Sequence, residues 1–160
     1  MAPLAHLAQP WADLYADSSG VKSIVVFLHL AALVVAGGFA LAADRAAFRL
    51  GRLSEDARLE LVDELGDTHR PVLVGLAVVV LSGVAMLLAD LETLLPSVVF
   101  WVKMGGFALL LANGLTLQRA ERRCRAGEGE KGWRALRAAA VRSAVLWMAV
   151  LWLGALLASS

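Results

Sequence analysis

Four apolar runs, each close to the length that a helix needs to cross a lipid bilayer, dominate this chain of 160 residues. They cover residues 23–43, 71–89, 98–117 and 143–158. A hydrocarbon core about 30 Å thick requires about 20 helical residues. The runs must be helices, because lipid offers no partner to an unpaired backbone group and a barrel strand would alternate in polarity. The sequence therefore predicts an all-α integral membrane protein, an antiparallel four-helix bundle forming one domain over residues 1–160.

The composition excludes an ordinary soluble domain. Hydrophobic residues make up 59% of the chain and charged residues only 18%, whereas about a quarter of the residues in soluble domains are charged. The single cysteine, Cys124, excludes a disulfide within one chain and a cysteine-based metal cluster. Cys124 stands beside Arg123 and Arg125, which would favour its thiolate form. It is either a reactive thiol or an incidental one on a basic helix.

The positions of the basic residues predict how the spans are oriented. Of the 15 lysines and arginines, five lie in the connection over residues 44–70 and eight in the connection over residues 118–142. An excess of these residues marks the cytoplasmic side of a membrane. We therefore expect a bacterial inner (plasma) membrane protein with both long connections in the cytoplasm. Both termini and the turn over residues 90–97 are then external.

Two segments outside the spans are predicted to form short amphipathic helices. Near the N terminus, Trp11, Leu14 and Tyr15 share helical spacing and suit the external interface. In the first connection, Ser54 is a candidate N-cap and Gly66 a candidate end. This connection is rich in acids and the second in bases, so the helix could dock on the hairpin of the third and fourth spans. A solvated charged face, or attraction of that hairpin to anionic lipid, are the alternatives.

Three polar side chains are expected at membrane depth: His29, Lys103 and Asn113. An ionisable residue within a span is a functional hypothesis by default. His29 would point into the bundle, either as a hydrogen-bonded structural histidine or as a ligand of haem b or copper. Lys103 either snorkels to the external interface or faces His29. Asn113 suits a hydrogen bond between helices.

A haem or metal at His29 needs a second ligand at similar depth. His69 lies at the cytoplasmic end of the second span, most of the bilayer away at a rise of about 1.5 Å per residue. One haem cannot join the two histidines. Met104 lies at a depth like that of His29, and Met86 is a further thioether, although methionine also fills apolar gaps. The candidates are His29 with Met104 for haem, and His29 with Met86 and Met104 for a metal.

Contacts between helices in lipid depend on small residues, because lipid provides no hydrophobic force that drives helices together. The first span offers Ala36, the second Gly75, and the third Gly106 and Gly114. We expect the spans to approach one another closely at these positions.

The first span and the hairpin of the second and third spans resemble a known group of proteins. The matching elements are the histidine in the first span, Ser82–Gly83, a Phe-Trp-x-Lys-Met run over residues 100–104, and Asn113–Gly114. In these the chain is similar to bacterial four-helix membrane proteins related to copper-resistance D-type domains. The resemblance implies metal handling on the periplasmic side, with His29, Met86 and Met104 as ligands. The chain departs from it in having no His-rich or Met-rich cluster.

The sequence contains no complete catalytic constellation: no Ser-His-Asp arrangement, no phosphate-binding glycine motif and no carboxylate pair within the spans. Neither connection carries a nucleic-acid-binding motif. The sequence therefore favours a membrane protein without catalytic activity or cofactor, an accessory or structural subunit that contacts lipid and either a second copy or a larger complex. A redox protein that handles haem or copper at His29 is the first alternative. A small transporter using Lys103, His29 and Asn113 is the second.

Overall fold

The computed structural model describes residues 2–50 and 53–159, and every regular element within them is a helix. The helices are α1 (Ala2–Asp17), α2 (Ser19–Arg49), α3 (Glu55–Ala89), α4 (Leu91–Leu94), α5 (Val98–Arg125) and α6 (Glu130–Ser159). Four of them, α2, α3, α5 and α6, are long and apolar enough to cross a membrane. The prediction of an all-α chain with four candidate spans is thus confirmed.

Most of the apolar surface of the four long helices faces outward. Within the most apolar stretch of each helix, only 11% to 22% of the residues are buried. Val34 on α2 is 74% exposed and Leu81 on α3 is 71% exposed. Large apolar patches of this kind are rare on water-soluble monomers. The surface therefore fits an apolar surrounding such as lipid.

The long helices pack as two hairpins, α2 with α3 and α5 with α6, which meet mainly along α2 and α6. Midway along the helices, a small core joins α2, α5 and α6 through Ala36, Leu110 and Trp147. A larger core lies where α2 and α5 end and α3 and α6 begin. It is named the basic-end core here, because the arginines of both long connections surround it. Its members are Ala43, Ala47, Leu50, Val62, Leu65, Ala120, Cys124, Trp133, Leu136 and Ala140.

The acidic first connection docks on the α5–α6 hairpin, which was one of the expectations from the sequence. Val62 and Leu65 of α3 are buried in the basic-end core together with Cys124 of α5. An ion pair accompanies this contact, with Arg125 Nε 3.0 Å from Asp63 Oδ1. Both side chains are exposed, and exposed pairs contribute at most about 1 kcal/mol. Apolar packing, rather than charge pairing, holds the segment in place.

Helix α3 runs without a break through its whole length, so the expectation of a separate short helix ending at Gly66 is wrong. Ser54 is its N-cap residue, as expected, although the hydroxyl makes no capping hydrogen bond. Pro71 lies inside the helix and removes one backbone hydrogen bond. At Gly66, Arg125 Nη2 lies 2.8 Å from the position that a Cβ would take, and it donates to the Val62 carbonyl at 3.1 Å. Packing before and after Pro71 keeps the helix continuous.

Helix α1 confirms the predicted N-terminal helix and extends it, because it begins at Ala2 and includes Pro10. Trp11 anchors α1 to α3, since its indole Nε1 donates to the Ala85 carbonyl at 2.8 Å. The ring of Tyr15 packs at a tilt against Trp11, with 6.0 Å between the centroids. Partial burial raises the pKa of Tyr15. Helix α1 is therefore fixed to α3 through its aromatic face.

Small residues allow the closest approaches between the long helices. A Cβ at Gly75 of α3 would stand 2.8 Å from the Ala36 Cβ of α2. A Cβ at Gly106 of α5 would stand 3.3 Å from Val150 Cγ2 of α6. At Gly114, by contrast, a Cβ would meet no atom within 4 Å. The expectation of close packing is confirmed at Gly75 and Gly106 and is wrong at Gly114, which faces open space.

We expect Gly75→Ala to destabilise the protein, because the new methyl group would force α2 and α3 apart at Ala36. Overpacking of this kind costs about 1–3 kcal/mol. Thermal unfolding of the detergent-solubilised protein, followed by circular dichroism, measures the effect. Gly38→Ala is the matched control and should not lower the melting temperature, because Gly38 is exposed and no atom lies within 4 Å of a Cβ there. Equal melting temperatures for the two variants would contradict the close approach at Gly75.

Candidate functional site

A histidine–serine pair joins α2 to α3 in the half of the protein away from the basic-end core. His29 Nδ1 lies 2.9 Å from Ser82 Oγ. Ser82 is buried and His29 is half-buried. A Cβ at Gly83 would stand 3.5 Å from His29 Cε1. Ser82 thus supplies a hydrogen-bond partner, and the imidazole ring packs against Gly83 at an ordinary contact distance.

The Ser82 hydroxyl determines the tautomer of His29. Ser82 Oγ donates its single proton to the Val78 carbonyl oxygen, 2.6 Å away. His29 Nδ1 must then be the donor to Ser82, so the neutral ring carries its lone pair on Nε2. The imidazole also makes a hydrogen bond with the Val79 backbone. His29 is therefore held on α3 by two neighbouring groups.

Lys103 of α5 lies across α6 in the same half of the protein. Its Nζ is 3.5 Å from the position that a Cβ of Gly154 would take, and the side chain is half-buried. No carboxylate forms an ion pair with Lys103 in the part of the chain that the structure describes. The Lys103 side chain thus packs against Gly154 at an ordinary contact distance.

The two candidate methionine ligands flank this region, and both are half-buried. Met86 lies one helical turn beyond Ser82 on the same face of α3, and Met104 follows Lys103 on α5. The described residues contain no group of three or more His, Cys, Asp or Glu that could hold a metal ion. A metal or haem at His29 would take one imidazole nitrogen there, and thioethers or ligands from elsewhere would have to complete its coordination.

A second polar cluster lies between α5 and α6 and consists of Asn113, Thr116 and Arg142. Asn113 is only 6% exposed, and its Nδ2 donates to the Ala139 carbonyl at 2.9 Å. Its Oδ1 accepts from Arg142 Nε at 3.1 Å and lies 3.2 Å from the Thr116 hydroxyl. The predicted hydrogen bond of Asn113 between helices is therefore confirmed. The same amide also fixes the position of an arginine.

His69 of α3 pairs with Glu121 of α5 near the basic-end core. The distance from His69 Nε2 to Glu121 Oε2 is 2.7 Å, and Glu121 is 3% exposed. Ser82, the partner of His29, lies 13 residues beyond His69 on α3, which is about 20 Å at a rise of about 1.5 Å per residue. His29 and His69 thus belong to separate sites, as the sequence predicted.

Sequence reasoning missed two buried acids, Glu121 and Asp44. Leu110 and Asn113 lie on the buried face of α5. Glu121 lies about two turns further along the same face, so its burial could have been predicted. Asp44 is 2% exposed and faces the Ser143 hydroxyl, and its Oδ2 has no hydrogen-bond partner among the described residues. Asp44 follows the last alanines of an apolar run, where a carboxylate is indistinguishable from an ordinary surface charge.

Cys124 lies inside the basic-end core and is 2% exposed. Its Sγ is 3.3 Å from the position that a Cβ of Gly132 would take, so α6 closes over the thiol. A cysteine enclosed in this way packs as a small apolar side chain. Burial therefore favours a packing role over the reactive thiol considered from the sequence.

Comparison with protein-family models, curated proteins and solved structures finds no match for this chain. The resemblance to copper-resistance D-type domains therefore stays a prediction. The function has to be inferred from the chain's own residues.

Glu121→Ala should lower the free energy of unfolding by about 1–3 kcal/mol, because it leaves the partly buried His69 without its hydrogen-bond partner. Unfolding in mixed micelles with increasing denaturing detergent measures this loss. Glu128→Ala is the control: its carboxylate is exposed and 3.9 Å from Arg123, so stability should change little. A Glu121→Ala protein as stable as the control would show that the buried pair contributes nothing.

Proposed function

We propose that this chain is a multi-pass protein of the bacterial inner membrane that acts as an accessory or structural subunit of a larger membrane assembly. In this proposal, residues 23–43, 71–89, 98–117 and 143–158 cross the bilayer as an antiparallel four-helix bundle. The two arginine-rich connections lie in the cytoplasm and both termini lie outside. Four helices of sufficient length and apolarity support this arrangement, as does the concentration of arginines in the two long connections.

The proposal of an accessory role rests on one face of α5. Gly105, Ala108 and Ala112 lie on this face at helical spacing, and all three are exposed. A Cβ at Gly105 would meet no atom within 4 Å. Small residues let a second helix approach closely in lipid, and Gly106 on the adjacent face receives α6 in this way. Gly105, Ala108 and Ala112 form what is named here the small-residue face of α5.

The exposed faces of α2 and α3 differ from the small-residue face of α5. They present large aliphatic and aromatic side chains such as Phe27, Val34 and Leu81, which are 67%, 74% and 71% exposed. Such side chains fill the irregular space between acyl chains and keep a neighbouring helix at a distance. Large side chains also flank the small-residue face on α5 itself, where Trp101 and Leu109 are 58% and 61% exposed. In this proposal, the small-residue face is the gap between such side chains at which a partner helix contacts α5.

Gly105→Leu should weaken assembly, because the new side chain would hold a partner helix away from α5. The matched control is Gly38→Leu. Gly38 on α2 is exposed and has no atom within 4 Å of a Cβ, but it lies beside the exposed Val34 and Val35. Mild detergent extraction, affinity purification and native mass spectrometry measure the assembly. We expect the assembly in the wild type and in Gly38→Leu, and most of it lost in Gly105→Leu.

A wild-type chain that remains a monomer without a co-purifying protein would overturn the accessory role. Intact assembly in Gly105→Leu would show that the small-residue face of α5 is not the contact. A mass of two chains would identify a second copy as the partner, whereas a heteromeric complex would identify a larger assembly.

A second candidate function, binding of haem b or copper, is favoured by the fixed imidazole of His29. Imidazole nitrogen is a ligand for both haem iron and copper. The hydrogen bond between Nδ1 and Ser82 fixes the ring, in the way that hydrogen bonds orient metal-ligating histidines elsewhere. Met86 and Met104 are the further ligands that the sequence suggests for this function.

The visible absorption spectrum and the elemental composition of the purified protein, prepared with haem or copper supplied, test this second candidate. We expect equimolar haem or copper in the wild type and none in His29→Ala. Gly83→Ala should retain it, because the added methyl group meets His29 only at an ordinary contact distance of 3.5 Å. A colourless, metal-free wild-type protein would rule this function out.

Transport through the bundle receives less support. Lys103 and Asn113 are ten residues apart on α5, which is about 15 Å. The buried Leu110 lies between them. The amide of Asn113 is bonded to Ala139 and Arg142 of α6. No hydrogen bond recorded among the described residues extends from this amide toward His29.

A further inference from the structure

A groove of about 310 Å³ runs between α5 and α6 beside the cluster of Asn113, Thr116 and Arg142. Three arginines line it: Arg119 and Arg123 from α5 and Arg142 from α6. The rest of the lining consists of Thr116, Ala120, Ala135 and Ala138. Because alanines lie between the arginines, a ligand in the groove can come close to both helix backbones while guanidinium groups surround it.

The positive charge of the groove is largely uncompensated. Arg119 and Arg142 form no ion pair with any residue that the structure describes, and Arg123 approaches Glu128 only at 3.9 Å on an exposed surface. No acidic residue is among the lining residues. Guanidinium groups match oxyanions that accept several hydrogen bonds at once, and phosphate is the most common of these in recognition by arginine. The groove therefore has the chemistry of a phosphate site.

Arg142 is held in position before any ligand arrives. Its Nε donates to Asn113 Oδ1 at 3.1 Å, and its Nη2 lies 3.5 Å from the Thr116 hydroxyl oxygen. Both partners are neutral, so the guanidinium keeps its full charge. An arginine has about five N–H donors, and these contacts leave most of them for a ligand. Fixing the side chain in advance reduces the entropy lost on binding.

The groove begins where the apolar stretches of α5 and α6 end, at residues 117 and 143. Leu115 and Val145 lie just inside those stretches, and they are 56% and 62% exposed. Leu115 is one turn from Arg119 on α5, and Val145 is about one turn from Arg142 on α6. A molecule with its phosphate in the groove would therefore lay its apolar part along exposed apolar side chains.

We propose that this groove binds the phosphate of an anionic phospholipid on the arginine-rich side of the protein. Arg119, Arg123 and Arg142 donate hydrogen bonds to the phosphodiester, and Leu115 and Val145 contact the acyl chains. The inference rests on the membrane insertion of the proposed function but is independent of the small-residue face of α5. General attraction between a basic surface and an anionic membrane would act on all exposed arginines alike. A specific site would instead depend on the three arginines that line the groove.

Two triple variants that lose the same charge separate a site from general attraction: the groove variant Arg119→Gln, Arg123→Gln and Arg142→Gln, and the control variant Arg45→Gln, Arg49→Gln and Arg122→Gln. The control arginines are exposed and lie outside the groove lining. The full chain in detergent is titrated with phosphatidylglycerol or with neutral phosphatidylcholine, and native mass spectrometry counts the bound lipid. We expect the groove variant to bind phosphatidylglycerol about tenfold more weakly than the control variant, which corresponds to about 1.4 kcal/mol. Binding of phosphatidylcholine should be equal in both.

Arg119→Gln with Arg123→Gln is a second variant that leaves the bonds of Arg142 to Asn113 intact. It should fold like the wild type and show part of the same loss. Titration with inorganic phosphate separates the two sources of a phosphate group. Displacement of the phospholipid by inorganic phosphate would overturn the lipid assignment in favour of a soluble phosphate compound.

Equal losses of phosphatidylglycerol binding in the groove and control variants would overturn the site itself. The proposed function would stand in that case, provided that both variants stay in the membrane fraction and assemble like the wild type. Loss of all variants and the wild type from the membrane fraction would instead refute the membrane insertion on which the site depends.

Discussion

Lipid-facing helices can be held together only where their backbones approach closely, because the large apolar side chains that would form a core in water point outward. In this protein that approach occurs at Gly75, where α3 meets Ala36 of α2 with no room for a methyl group. The midway core adds the buried Leu110 and Trp147, with partly buried leucines packed around them. Polar contacts between α2 and α3 depend on the close approach at Gly75. The pair His29–Ser82, for example, spans α2 and α3 about two turns from Gly75.

The long helices pack differently at their two ends. Away from the basic-end core, His29 and Lys103 lie between apolar helices, each at an ordinary contact distance from a glycine: Gly83 and Gly154. At the other end, α3 and α6 extend past the apolar stretches and enclose a conventional core around Leu136. That end is packed like the core of a water-soluble protein. Elsewhere, the four long helices contact one another through small residues, as is typical of helices in lipid.

The sequence was sufficient to predict the features that follow from the positions and lengths of its apolar runs. It located the four long helices, the role of Asn113 between helices, and the separation of His29 from His69. It failed where a tertiary contact overrides a local signal. Gly66 and Pro71 are strong breaking signals, yet α3 continues through both. Leu65 packs in the basic-end core before them, and Gly75 packs on Ala36 after them.

The same limit explains what could not be predicted for the candidate sites. Small residues such as Gly106 and Gly114 look alike in sequence, although only Gly106 meets another helix. Whether a small residue faces a neighbouring helix depends on how its own helix is rotated about the helix axis. Because a span is apolar on all sides, its sequence does not determine that rotation.

The continuity of α3 has a mechanical consequence. Its 35 residues make a rod about 50 Å long, which exceeds a hydrocarbon core of about 30 Å. One end of the rod lies in the basic-end core beside Arg125, and the far part carries Ser82 and the Ala85 carbonyl that accepts from Trp11. One continuous helix therefore joins the arginine-rich end of the protein to both the imidazole contact and helix α1.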